Sequence, residues 1–172
     1  PAVKKAWEVA SRAGIYSSPV PYKGKVYVAD NLGRLSCYTE KDGRRLWTYR
    51  TGGRIIGTPA IGMGVVVAGS ADDNIYGVDA ASGKLRWKVH TRRPVVSAVT
   101  TDKDVAYVGG SDSTFRAIDV TNGRIVWENR DVHGYVETKP LVTNDLVLFG
   151  AWDNSVYALD KQSGLLCWKW TT

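Results

Sequence analysis

Half of the arginines in this sequence, Arg12, Arg50, Arg54, Arg92, Arg93 and Arg130, fall in loop-like stretches, and His90 and His133 fall with them. These stretches return about every 40 residues. A guanidinium is a planar fork suited to carboxylate and phosphate, so the chemistry on offer is anion recognition. The partner would be an acidic protein segment or a small anionic ligand. Arg54, Arg92, Arg93, Arg130 and His133 are the candidate contacts, joined by Tyr135 and Trp152, because binding hot spots favour Trp, Tyr and Arg. Trp152 stands where other repeats have Asn31, Ala71 and Ser111. It is either an anchor for a partner or a cap that packs on Tyr135 or closes a channel. Asp30, Asp72, Asp73, Asp112 and Asp153 come from stretches on the same side, so the plain reading is a mixed-sign, partly self-paired surface.

Other chemistries find little support. No CxxC, HExxH, Walker loop or histidine cluster occurs, and Asp131 and Glu137 are the only carboxylates within the arginine-bearing loops. Lys and Arg number 23 against 17 Asp and Glu, a net charge of +6. The arginines are dispersed among acids without a base-stacking motif, which argues against nucleic acid. No apolar stretch approaches the ~18 residues of a membrane helix, and no signal peptide stands at Pro1, a start that looks trimmed. Cys37 and Cys167 are expected to be isolated, buried thiols. A disulfide between them would need the two end units to meet.

What positions these residues is a repeat. Asp79, Gly83 and Trp87 return as Asp119, Gly123 and Trp127, and again as Asp160, Gly164 and Trp168. An earlier copy has Thr39 in place of the aspartate but keeps Gly43 and Trp47, and Trp7 lies one period before. Each unit holds four apolar runs. In the second they are 58–61, 65–69, 74–78 and 84–89, rich in Val, Ile and Tyr and too short for helices. Short links between them predict an antiparallel four-stranded meander. Second strands such as Val65-Val66-Val67-Ala68 and Leu146-Val147-Leu148-Phe149 are apolar at every position, so both faces should be covered. With no helical stripe in the chain, other sheets must do the covering. An all-β fold follows: a β-propeller of four-stranded antiparallel blades. The glycine of each motif supplies the positive φ of the third-to-fourth turn, and the tryptophan should dock on the adjacent blade. Unit one, lacking the aspartate, should have a looser turn.

The segments Ile75-Tyr76-Gly77-Val78-Asp79 through Trp87 and Val156-Tyr157-Ala158-Leu159-Asp160 through Gly164 resemble the PQQ-like repeat, as found in BamB-like and quinoprotein-type propellers. Ser18-Pro19 and Thr58-Pro59 match its first-strand opening, with Lys139-Pro140 as a variant and Ser97-Ala98 as a departure. The resemblance implies one propeller domain over 1–172, with blades near 15–50, 55–90, 95–130 and 136–171. Residues 4–10 would be the last strand of a preceding blade. It implies rings of seven or eight blades, about twice this length, so five fourth strands for four sets of the others point to a partial ring or to self-association, with a closed four-bladed ring as the alternative. It also implies an extracytoplasmic place, periplasmic or extracellular, although the residues leave the cytoplasm open. Two activities go with such blades. One is a non-catalytic scaffold for protein interaction or ligand sensing, without a cofactor. The other is part of a dehydrogenase holding pyrroloquinoline quinone and Ca²⁺, which needs an acidic base, a calcium donor set and an adjacent Cys-Cys pair. The pair is absent and no calcium-loop spacing surrounds Asp131 or Glu137, so the scaffold is the expected function and an enzyme is not.

Overall fold

The computed structural model describes residues 5–172. Sixteen strands form four antiparallel sheets of four, each in plain sequence order. Blade 1 holds β1 (Val20–Tyr22), β2 (Lys25–Ala29), β3 (Arg34–Thr39) and β4 (Arg45–Arg50). Blade 2 holds β5 (Ala60–Gly62), β6 (Val65–Ser70), β7 (Asn74–Asp79) and β8 (Leu85–His90). Blade 3 holds β9 (Thr100–Asp102), β10 (Val105–Gly109), β11 (Phe115–Asp119) and β12 (Ile125–Asn129). Blade 4 holds β13 (Leu141–Val142), β14 (Leu146–Ala151), β15 (Ser155–Asp160) and β16 (Leu166–Thr171). The second unit's strands fall where the apolar runs predict them, except that the first begins after Pro59, which has no N–H for a ladder bond. No helix occurs among the described residues, and none is long and apolar enough to cross a membrane.

Apolar layers lie between consecutive blades. Tyr27, Leu35 and Cys37 of blade 1 meet Val66, Ala68 and Tyr76 of blade 2. Val65, Val67 and Ile75 on the opposite face of blade 2 meet Ala106, Val108 and Ile118 of blade 3. In the last layer the Phe115 and Phe149 rings stack at 4.0 Å, and Tyr157 extends the stack. Blade 2 is therefore covered on both faces, and every residue of β6 is buried. Blade 4 departs from the expectation: β14 alternates, with Val147 and Phe149 buried and Leu146 and Leu148 only partly so. Its inner face meets blade 3, while no other blade of the described residues lies over the outer one.

Each third-to-fourth turn closes on a positive-φ glycine, Gly43, Gly83, Gly123 or Gly164. A β-bulge follows in the same place in every blade, next to the pairs Cys37↔Trp47, Gly77↔Trp87, Ala117↔Trp127 and Ala158↔Trp168. The residue opposite each tryptophan is small because the indole lies across it; a Cβ on Gly77 would stand 2.1 Å from the Trp87 ring. The turn of blade 1 is not looser. Its Gly43 N–H donates to Thr39 O at 3.0 Å, against 2.8 Å for Gly83 to Asp79 O, and the Thr39 hydroxyl bonds the Asp42 carboxylate. Asp42 thus supplies the carboxylate that position 39 lacks.

In the other turns the aspartate is the hub. The Ser82 hydroxyl and the Arg86 guanidinium, with the Ser82 N–H, hold the Asp79 carboxyl well below the usual range. The Thr121 hydroxyl does the same for Asp119, and the Ser163 hydroxyl for Asp160. A carboxylate with a depressed folded pKa stabilises fully above its unfolded pKa of about 3.9, and that contribution is lost as pH falls through the folded value. Acid denaturation should therefore set in below about pH 4. Asp79→Asn should flatten that limb of a pH–stability curve followed by circular dichroism. A variant with the wild-type acid slope would show that the turn does not hold this carboxylate.

Candidate functional site

The loops from each fourth strand to the next first strand emerge on one rim, where they are tied to the second-to-third loops of both flanking blades. The Ile55 N–H donates to Asp30 O of blade 1 at 3.2 Å, and the Ala71 N–H of blade 2 donates to Arg54 O at 2.8 Å. The next junction repeats this, with the Val95 N–H on Ser70 O at 3.0 Å and the Ser111 N–H on Pro94 O at 3.0 Å. The rim is thus a continuous band whose backbone is held on both sides.

Four of its aspartates are bonded within the band. Asp30 accepts from the Leu32 and Arg34 N–H groups and from Arg34 Nε at 2.7 Å. Asp72 accepts from the Gly52 N–H at 2.7 Å and the Tyr76 hydroxyl at 2.6 Å. Asp112 accepts from Arg116, with Nη1–Oδ1 at 3.1 Å, and Asp153 accepts from the Tyr157 hydroxyl at 2.6 Å and Lys169 at 2.9 Å. Burial would push the Asp112 carboxyl up, but the hydrogen bond and charge of Arg116 outweigh it and hold the group below its ordinary value. These contacts expose a second repeat: Asp-x-x-x-Arg or Asp-x-x-x-Tyr at 30/34, 72/76, 112/116 and 153/157. Its signal was the constant spacing of four, which on adjacent strand ends brings a carboxylate to a guanidinium or phenol.

The sequence-derived contacts distribute unevenly. Arg54, Arg92 and Arg93 are exposed and take part in no ion pair among the described residues. Arg130 instead pairs with Glu128 at 2.8 Å. The His133 N–H donates to the Tyr157 hydroxyl at 3.2 Å, while its side chain is exposed. Trp152 is 70% exposed and Tyr135 46%. The Trp152 backbone N–H donates to Tyr135 O at 3.0 Å, and its indole N–H donates to Glu137 Oε2 at 3.0 Å. The rim thus brings Tyr135, Glu137 and Trp152 together at blade 4, while Arg92 and Arg93 stand on the loop before blade 3. With Asp30, Asp72, Asp112 and Asp153 engaged within the band, Arg54, Arg92 and Arg93 are solvent-facing charges outside any ion pair of the described residues.

The cysteines are both free, and only Cys37 is buried. Cys167 is exposed, contrary to expectation, because β16 is the outermost strand of its blade and is exposed along its whole length.

Blades of this register, with one glycine turn and one motif tryptophan in each, define a β-propeller of PQQ-like repeats. A model of the family described as outer membrane protein assembly factor BamB matches residues 4–58 and 51–172. The chain belongs to that family. Among solved structures it is similar to BamB from Moraxella catarrhalis, with a TM-score of 0.77, 24% identity, and coverage of 95% of this chain and 51% of that one. It is also similar to the quinohemoprotein alcohol dehydrogenase ADHIIG from Pseudomonas putida HK5, with a TM-score of 0.83, 16% identity, and coverage of 97% and 36%. The computationally designed Ika4 protein gives a TM-score of 0.82 at 17% identity, covering 92% of this chain and 99% of its own. At these identities the likeness is one of fold. The chain spans about half the length of BamB. No curated protein matches its sequence.

Proposed function

We propose that this chain is a non-catalytic propeller scaffold whose basic loop rim binds an acidic segment of a protein partner. The observation that carries this reading is the division of charge on the rim: Asp30, Asp72 and Asp112 are bonded within it, and Arg54, Arg92 and Arg93 face solvent outside any ion pair of the described residues. Trp152 and Tyr135 add exposed aromatic surface at blade 4 of the same rim. Membership of the BamB family supports the interaction role and an extracytoplasmic location, periplasmic or extracellular.

Titration with a glutamate-rich peptide, followed by calorimetry, tests the reading. Binding should weaken with added salt, since exposed charges are screened. Replacing both Arg92 and Arg93 by Ala should weaken it about 10- to 100-fold, as should Trp152→Ala. The melting temperature of either variant should stay near that of the parent chain, because both sites are on the surface. Equal binding by the Arg92/Arg93 variant would remove the rim from the proposal, and binding of citrate or phosphate in place of peptide would make the ligand a small anion.

The fold likeness to a quinohemoprotein dehydrogenase keeps a second reading in view. The donor set does not fit it. Among the described residues no three His, Cys, Asp or Glu side chains stand close enough to hold a metal, and Glu137 accepts the Trp152 indole N–H. Adding pyrroloquinoline quinone and Ca²⁺ should produce no alcohol- or sugar-dependent dye reduction; a robust signal would restore the enzyme.

A further inference from the structure

The indole N–H groups of Trp47, Trp87 and Trp127 cross to the next blade, donating to Ala80 O at 3.2 Å, Val120 O at 2.7 Å and Lys161 O at 3.0 Å. The residue after each motif tryptophan instead faces its own third strand. There every blade places a polar pair at one register: Ser36 opposite Thr48, Tyr76 opposite Lys88, Arg116 opposite Glu128 and Tyr157 opposite Lys169. In blade 1 the two hydroxyls bond at 2.9 Å. In blades 2 and 4 the third-strand phenol donates to a rim aspartate, Tyr76 to Asp72 and Tyr157 to Asp153, both at 2.6 Å, and the fourth strand carries a lysine. Blade 3 reverses the charges, with a cation on its third strand and an acid on its fourth.

The reversal engages a rim arginine. Arg116 is 3% exposed and reaches two carboxylates, Asp112 Oδ1 through Nη1 at 3.1 Å and Glu128 Oε1 through Nε at 3.1 Å. The second contact fixes Glu128, whose other oxygen, Oε2, accepts from Arg130 Nη2 at 2.8 Å. Burial would raise the Glu128 carboxyl, but the hydrogen bonds and charges of Arg130 and Arg116 outweigh it and hold the group below its ordinary value. It is therefore ionised at neutral pH. The carboxylate is anchored from beneath, and Arg130 alone of the three stands mainly in solvent. In blade 2 the corresponding residue is Lys88, which can accept nothing, and Arg92 and Arg93 in the loop after it enter no ion pair of the described residues.

We propose that Glu128 sets the reach of the anion-binding rim: held by Arg116, it masks Arg130, so that an acidic segment engages Arg54, Arg92 and Arg93 but not the loop before blade 4. The inference rests on the reading of the rim as a site for acidic segments. A guanidinium already on a carboxylate must leave it to meet another, so it adds little net attraction. The Glu128 charge also disfavours a second carboxylate laid across the same loop, a repulsive element of specificity.

Two measurements on the whole chain test this, the first without a partner. Phenylglyoxal modification mapped by mass spectrometry should label Arg130 about threefold more slowly than Arg92 and Arg93, the protection an exposed pair can give. Glu128→Gln should remove the difference. Equal rates in the parent chain would overturn the masking, whatever a peptide does. Calorimetry with the glutamate-rich peptide reads the consequence. Glu128→Gln should tighten binding about fivefold at low salt. Adding Arg130→Gln should abolish that gain, whereas adding Lys88→Gln, which restores the same net charge, should keep most of it. Loss of the gain in both double variants would make it an effect of net charge and overturn the role of Arg130. Arg116→Tyr with Glu128→Lys installs the pair of blade 2, and melting curves should show that it folds. It should bind at least as tightly as Glu128→Gln. Peptide binding by the parent with no gain in either folded variant would overturn this proposal alone. A parent and variants that bind no peptide would overturn the rim reading, and this proposal with it.

Discussion

Trp87→Ala is expected to lower the unfolding free energy by about 3–5 kcal/mol, the range for truncating a large buried aromatic. The side chain is 7% exposed, donates its indole N–H to Val120 O at 2.7 Å, lies against Gly77 on its own sheet and covers Gly123 of the next blade. Truncation would open a cavity between two blades whose glycines have no side chain to fill it, and would leave a buried carbonyl unpaired. Urea denaturation reads the change directly. Trp168 provides the internal control: it has the same motif position but is 44% exposed, so Trp168→Ala should stay within about 0.5 kcal/mol. If Trp87→Ala melts with the parent chain, the docking account of the repeat is wrong.

A loss of similar size, about 3–5 kcal/mol, is expected for Arg116→Met. Arg116 and Asp112 have side-chain exposures of 4% and 2%, and the guanidinium also reaches Glu128 Oε1 at 3.1 Å. Removing the cation leaves a buried carboxylate bonded only to backbone N–H groups of Arg92 and Thr114. The expected signature is a pH dependence as well as a loss. With Arg116 present, the Asp112 carboxyl is held below its ordinary value. Without it, burial raises that pKa above the unfolded one, the folded state binds the extra proton, and stability rises as pH is lowered from 7 toward 5. The variant should therefore recover part of its loss on mild acidification, whereas the parent should not. A pH-independent loss would mean that Asp112 takes its stability from the Arg92 loop and not from the ion pair. The proposed binding of an acidic partner also depends on this network, because it keeps the Asp112 carboxylate neutralised by Arg116.

The sequence carried the architecture because a repeat states the same local instruction many times. Turn glycines, flanking Ser or Asn and runs of Val and Ile each favour one backbone outcome, and their recurrence leaves a four-stranded unit as the only consistent reading. The candidate site was less legible. Arg54, Arg92 and Arg93 were visible as rim residues from their loops alone. That Asp72 and Asp112 are engaged within the rim was not, since the partner of Asp72 is a backbone N–H twenty residues earlier and that of Asp112 includes a guanidinium on the next strand. Arg130 was grouped with the free arginines, yet Glu128, two residues before it, pairs with it.

By itself the sequence determined the four-stranded unit, the glycine turns, the register of the motif tryptophans and the basic excess, all properties of one unit or of composition. Tertiary structure decided what depends on neighbours. Identical motif positions are buried at Trp87 and exposed at Trp168, Val67 is enclosed where Leu148 is half-open, and Cys37 is covered where Cys167 is not. A repeat makes its members alike in sequence, but burial is a property of pairs of blades, and a blade at the end of an arc has only one neighbour to bury it.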